Sequence, residues 1–167
     1  TKIIHQMRFG AYAEEVIANI NDLKTFPKNF SFEEAAGFSI AAQTAYVSLV
    51  ERAEVAKGQT VLVLGATGGV GLAAIQLAKT MGASVIAVCS SKIKQNRAIK
   101  TGANYAIGYQ DMVNKIKEIT KNDGVDIVFD PVGGENFLKS LKVIKWGGKL
   151  LLIGFASGSI PSLPMNI

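Results

Sequence analysis

Cysteine is nearly missing: Cys89 is the only one in 167 residues, which excludes an internal disulfide and any cysteine-built zinc cluster. A lone thiol fits a reducing compartment. Proline is scarce at 4 residues while glycine is plentiful at 17, a balance typical of alternating strands and helices. Charged residues make up only 19% against 49% hydrophobic ones, which rules out disorder as the main reading. The net charge of +5 raises the question of a polyanionic partner. No run of five basic residues occurs, so a solvated basic surface is favoured over nucleic-acid binding. The stretch Thr60 to Ala78, within the longest uncharged run, has the length of a membrane span, but Gly65, Gly68, Gly69 and Gly71 break it into strand, turn and helix. No internal repeat or low-complexity segment occurs, and no signal-peptide pattern opens the sequence, but Thr1 is not a natural start, so a targeting segment ahead of it stays open.

What remains is a strict alternation. Short Val/Ile/Leu-rich runs, apolar on both faces, lie at Thr60–Leu64, Ser84–Val88, Tyr105–Ile107, Asp126–Phe129 and Lys149–Ile153. Between them the pattern predicts helices over 70–82, 91–101, 110–121 and 134–145. Strands alternating with helices give a parallel sheet, and right-handed crossovers make it doubly wound, the Rossmann arrangement. Upstream, Ser31-Phe32-Glu33-Glu34 is a capping box that opens a helix through Ala35 and Ala36 to a glycine. A second helix is expected from Ala42 to Arg52. Residues 1–30 read as the tail of a different module, and residues 31–167 as the sheet domain.

The first strand runs into Gly65-Ala66-Thr67-Gly68-Gly69-Val70-Gly71 and then a helix, the setting of a dinucleotide fingerprint. Gly68 and Gly69 let backbone approach a pyrophosphate. The first helical amides lack partners and sit at the positive end of the dipole. Gly71 allows tight packing of helix on strand. Ala66 stands where the first glycine of the common G-x-G-x-x-G pattern belongs, and a plain strand-to-helix turn would also use glycine. Four glycines in seven residues, with five strand signals, favour the nucleotide.

The end of the second strand indicates which nucleotide. An NAD site places Asp or Glu there, about 20 residues on, to accept from the ribose 2′-hydroxyl. Here Cys89-Ser90-Ser91-Lys92-Ile93-Lys94-Gln95-Asn96-Arg97 offers hydroxyls and three cations but no carboxylate. Ser90 and Lys94 suit a 2′-phosphate, whereas Lys92 and Arg97 read as an exposed helix face. The expected cofactor is NADPH.

Several blocks carry a family likeness. They are Gly10-Ala11-Tyr12-Ala13-Glu14, Ser31 through Ala36, Thr44-Ala45-Tyr46, Gly65 through Lys79, Lys100-Thr101-Gly102-Ala103, Asp130-Pro131-Val132-Gly133-Gly134 and Gly147-Gly148-Lys149. In this order and spacing the chain resembles the zinc-independent, zeta-crystallin-like quinone oxidoreductases of the medium-chain dehydrogenase/reductase superfamily. The resemblance implies that Thr67, Gly68, Gly69 and Val70 line the pyrophosphate and that Ser90, Lys94 and Tyr109 hold the 2′-phosphate. It puts Ile153, Gly154, Phe155 and Thr44 at the nicotinamide and its ribose. It implies a zinc-independent hydride transfer from NADPH to a quinone or another activated alkene or carbonyl.

It also implies that residues 1–30 close a GroES-like catalytic domain and that a sixth strand follows Ile167, so that this chain alone is inactive. The whole protein would be a homodimer with a small-molecule substrate, no nucleic acid and no membrane, in the cytoplasm or else the mitochondrion. Zinc-dependent relatives supply a cysteine near Phe38-Ser39-Ile40-Ala41, where none stands, and His5 is expected at the surface without ligand partners. Asp126 and Asp130 are not catalytic candidates; one is expected to cap a turn and the other to be shielded by the sheet. No residue of the chain is expected to be catalytic. The rival readings are an enoyl-thioester reductase of the same superfamily and a non-catalytic, crystallin-like NADPH-binding protein.

Overall fold

The chain divides into two compact units, Thr1–Ile40 and Ala41–Ile167. The structure, a computed structural model, describes residues 2–163. Residues 1 and 164–167, which the expected domain limits include, and the sixth strand expected after Ile167 lie outside the described residues.

In the N-terminal unit, β1 (Ile3–Ile4) pairs antiparallel with β2 (Lys24–Thr25). His5, expected at the surface, is half-buried, and its Nδ1 is buried with no partner among the described residues. Ser31 and Glu34 form the capping box reciprocally: the Ser31 amide donates to Glu34 Oε2 at 2.8 Å, and the Glu34 amide donates to Ser31 Oγ at 3.1 Å. The helix they start, α1, runs Phe32–Tyr46 without a break at Gly37. A mid-helix glycine costs about 1 kcal/mol, which the alanines around it offset. From Tyr46 the coil widens into a π-helical stretch, Val47–Arg52, closed by the Ala53 amide donating to the Ser48 carbonyl at 2.9 Å. The two helices expected here are one helix with a wider last turn.

The second unit is a five-stranded sheet of β3 (Thr60–Val63), β4 (Ser84–Val88), β5 (Tyr105–Ile107), β6 (Val125–Asp130) and β7 (Ile144–Leu152). All its pairings are parallel, in the order β5-β4-β3-β6-β7. The inner strands β3, β4 and β6 bury apolar residues on both faces because each face carries its own core. Val61, Val63, Val85, Ala87, Ile127 and Phe129 fill one side, against α2 (Gly69–Thr80) and α3 (Lys92–Thr101). Leu62, Leu64, Ile86, Val88 and Val128 fill the other, against α4 (Met112–Ile119) through Met112 and Ile116. This is the doubly wound sheet expected.

The boundaries differ most at the last crossover. Helix α5 covers Gly134–Leu141 and stops short of residue 145, while β7 starts five residues before Lys149. Val143 is buried and Ile144 pairs with Val125, so strand pairing wins over helical continuation. Between the pairs Val125–Ile144 and Ile127–Lys149, two steps on β6 face five on β7. The excess bulges out as Lys145-Trp146-Gly147-Gly148, with Gly147 at φ 74° and Trp146 fully exposed.

Candidate cofactor-binding site

The strand order reverses at β3 and β6, and the crevice beyond their carboxyl ends is where doubly wound sheets take ligands. Gly65, at φ +56°, turns the chain out of β3, and the Gly68 amide donates back to its carbonyl at 3.0 Å. Helix α2 starts at Gly69 with no side-chain cap, so its first amides are presented bare.

The glycines of this turn divide by role. A Cβ on Gly71 would fall 2.7 Å from the Gly65 carbonyl oxygen and 2.8 Å from Ala66 backbone atoms, so this glycine is required by packing. A Cβ on Gly68 or Gly69 would meet only ordinary contacts, at 3.4 Å to Gly65 O and 3.8 Å to Ala41 Cβ. Nothing inside the protein demands that those two be glycine. Both are exposed on the outer side of a bare helix start, which leaves an open cradle beside its free amides. Thr67 and Val70 flank it half-buried, Val70 packing on the α2 core.

At the end of β4, Lys94 Nζ donates to Ser90 Oγ at 3.1 Å, both side chains being exposed. Ser91 caps α3 by accepting from the Lys94 amide at 3.3 Å, which fixes the turn that brings Lys94 over Ser90. Cys89 is buried behind them, its thiol pKa pushed up by desolvation and drawn down less by Lys94. From the end of β5, Tyr109 reaches the glycine turn: the Gly65 amide donates to its hydroxyl at 2.8 Å.

From β6, Asp130 Oδ1 accepts from the Val132 amide at 2.7 Å and the Gly133 amide at 2.9 Å. Asp130 is 0% exposed, and its Oδ2 has no partner among the described residues. Burial pushes its pKa up, against the downward pull of the two amides. Asp130 therefore is the turn cap expected. Asp126 is not shielded: it accepts from the Thr60 amide at 2.6 Å and pairs with Lys145 at 3.1 Å, at the other end of the strand. After β7, the Ile153 amide donates to the Asp130 carbonyl at 2.9 Å and the Ala156 amide to the Pro131 carbonyl at 3.1 Å. This lays Gly154 and Phe155 along the β6 loop, where a Cβ on Gly133 would lie 2.9 Å from the Phe155 ring.

Thr44 is half-buried on α1, one turn on from Ala41, the neighbour of Gly69; its carbonyl accepts from Ser48 Oγ at 2.6 Å. The sheet thus brings the glycine turn, Ser90 with Lys94, Tyr109, and Ile153 through Phe155 to one edge. Sequence reasoning missed the bond from Tyr109 to Gly65 and the way Gly133 accommodates Phe155; neither spacing nor residue type signals them.

Comparison with known proteins decides the family. The zinc-binding dehydrogenase profile matches residues 69–167. The chain belongs to that family. Within it, the chain is similar to quinone oxidoreductases. It is 38% identical over 160 residues to quinone oxidoreductase-like protein 2 homolog of Nematostella vectensis, covering 95% of this chain and 44% of the relative. The quinone oxidoreductase of Thermus thermophilus, solved also with NADPH, superposes with TM-score 0.85 at 34% identity, over 96% of this chain and 52% of that one. CurK enoyl reductase gives TM-score 0.77 at 32% identity, over 82% and 42%. The chain spans about half the length of the relatives it matches. For the zinc in the family's description the donors do not fit: among the described residues no three His, Cys, Asp or Glu side chains gather. No helix among them is long and apolar enough to cross a membrane.

Proposed function

We propose that the chain is the dinucleotide-binding part of an NADPH-dependent oxidoreductase that reduces a quinone or another activated alkene or carbonyl without zinc. The observation that carries this is the Ser90–Lys94 pair at the end of β4, with no carboxylate in the segment that follows. A cation and a hydroxyl 3.1 Å apart form a receptor for a 2′-phosphate. An acid there would repel one.

In this reading Thr67, Gly68, Gly69 and Val70 receive the pyrophosphate on the bare amides of α2. Ser90 and Lys94 take the 2′-phosphate, with Tyr109 beside them. Thr44 and Ile153, Gly154 and Phe155 border the nicotinamide and its ribose. The cofactor, when bound, supplies the hydride. The work of these residues is to fix the dinucleotide's two ends, so that the ring lies against one face and water is kept from the other. No acid–base group of this chain is assigned a step. A small-molecule acceptor, a homodimeric whole protein and a cytoplasmic location follow from the same resemblance.

Titrating the protein with NADPH and with NADH in parallel tests the assignment; equal affinities would remove it. A second reading, enoyl-thioester reduction, is favoured by the likeness to CurK enoyl reductase. Assaying the whole protein with quinones and with enoyl thioesters separates the two. Absence of turnover with either points to a protein that only holds the dinucleotide.

A further inference from the structure

Tyr109 makes a contact that a phosphate ligand does not need. It leaves the end of β5, passes the end of β4 and reaches β3, two places along the sheet, where its hydroxyl accepts from the Gly65 amide at 2.8 Å. The ring is half-buried, packed on the core formed by Leu62, Leu64, Ile86 and Val88, so the reach is fixed by packing. Desolvation pushes the Tyr109 pKa up, which keeps the phenol neutral and its own proton in place.

On its other side Gly65 lies close against the loop after β6. A Cβ there would lie 3.0 Å from Val132 Cγ2, and the Val132 amide is tied at 2.7 Å to the buried Asp130. Gly65 sits at φ +56°, and its carbonyl takes the Gly68 amide that starts the cradle. The residue whose conformation sets the phosphate turn is thus bonded to Tyr109 on one side and lies close to the Asp130 loop on the other, with little room for a side chain.

We propose that Tyr109 is a positioning residue for the pyrophosphate turn, acting through Gly65, so that it supports both dinucleotides whatever it adds at a 2′-phosphate. This rests on the reading above that the turn binds a dinucleotide. The distinction is measurable, because a group serving only the 2′-phosphate has no effect on NADH.

The test is calorimetric titration of wild-type, Tyr109→Phe and Lys94→Ala proteins with NADPH and NADH, with melting temperatures recorded. Phe keeps the packed ring and removes only the hydroxyl. Tyr109→Phe is expected to weaken NADH about fivefold, the effect of one hydrogen bond to a backbone amide. NADPH should weaken at least as much. Amide exchange at Gly65 should quicken while the amides of β3 stay protected. Unchanged NADH affinity, with the loss confined to NADPH, overturns the proposal and leaves the cofactor assignment standing. If Lys94→Ala changes neither affinity, the cofactor assignment fails. An NADH loss in Tyr109→Phe would still support the turn's role.

Discussion

Two glycines two residues apart in the turn should fail in opposite ways when given a methyl group. At Gly71 the new Cβ meets backbone, 2.7 Å from the Gly65 oxygen and 2.8 Å from Ala66 carbon atoms. No rotamer relieves such a contact, so either α2 or the turn must move. Overpacking typically costs 1–3 kcal/mol, and a backbone collision belongs at the upper end, about 3 kcal/mol. For a domain of this size that corresponds to a fall in melting temperature of roughly 6–12 °C. At Gly69 the nearest atom to a new Cβ is Ala41 Cβ at 3.8 Å, an ordinary contact, and α2 already begins there. Gly69→Ala should therefore melt like the parent or slightly above it, since alanine favours the helix. Its methyl group instead occupies the cradle outside the helix start. The loss of charge-assisted bonds from the amides, roughly 1.5–3 kcal/mol, weakens NADPH about tenfold to a hundredfold. Thermal melts and calorimetric titrations of both variants decide. A Gly71→Ala protein that melts like the parent, or a Gly69→Ala protein that binds like it, refutes the division of roles.

Three further outcomes are expected. Lys94→Ala should cost NADPH roughly 1.5–3 kcal/mol, tenfold or more in affinity, and leave NADH alone; equal losses for both would place Lys94 elsewhere. Burial raises the pKa of Asp130 in the folded chain, so the unfolded chain gives up that proton at lower pH. Stability should accordingly fall as pH rises from the ordinary carboxylate range through the elevated value, and level off above it. Asp130→Asn should flatten that slope in denaturant midpoints taken across the acid range, and an unaltered slope would contradict the burial argument. Trp146, the sole tryptophan, is fully exposed in the bulge of β7, near the end of the sheet away from the site. Its emission should be quenched freely by acrylamide and stay unchanged on adding NADPH.

The sheet was legible because buried parallel strands have no polar face: Val61 to Leu64 and Val85 to Val88 could be little else. Gly71 was legible through the fingerprint, and Ser90 and Lys94 through chemistry, as the spacing of Ser91 as cap places Lys94 one turn over Ser90. The start of β7 was hidden, because Lys145-Trp146-Gly147-Gly148 is a bulge whose composition is that of a loop. Gly37 was misleading, since a glycine ends a helix only where the chain needs a left-handed turn, and a Cβ there would touch nothing. Tyr109 was legible as a residue near the site but not as a partner of Gly65. A bond between residues 44 apart is set by how far β5 lies from β3, which no local pattern records.

At the edge of the sheet remote from the glycine turn, the Thr60 amide, Asp126 and Lys145 form a small fastening of their own, with Asp123 joining Lys145 at 2.6 Å. These groups tie the root of β3 to β6 and share no atom with the cradle. One fastening of the sheet therefore lies on the rim opposite the ligand, where changes at Asp123 or Lys145 can alter stability without touching the residues that would hold a dinucleotide.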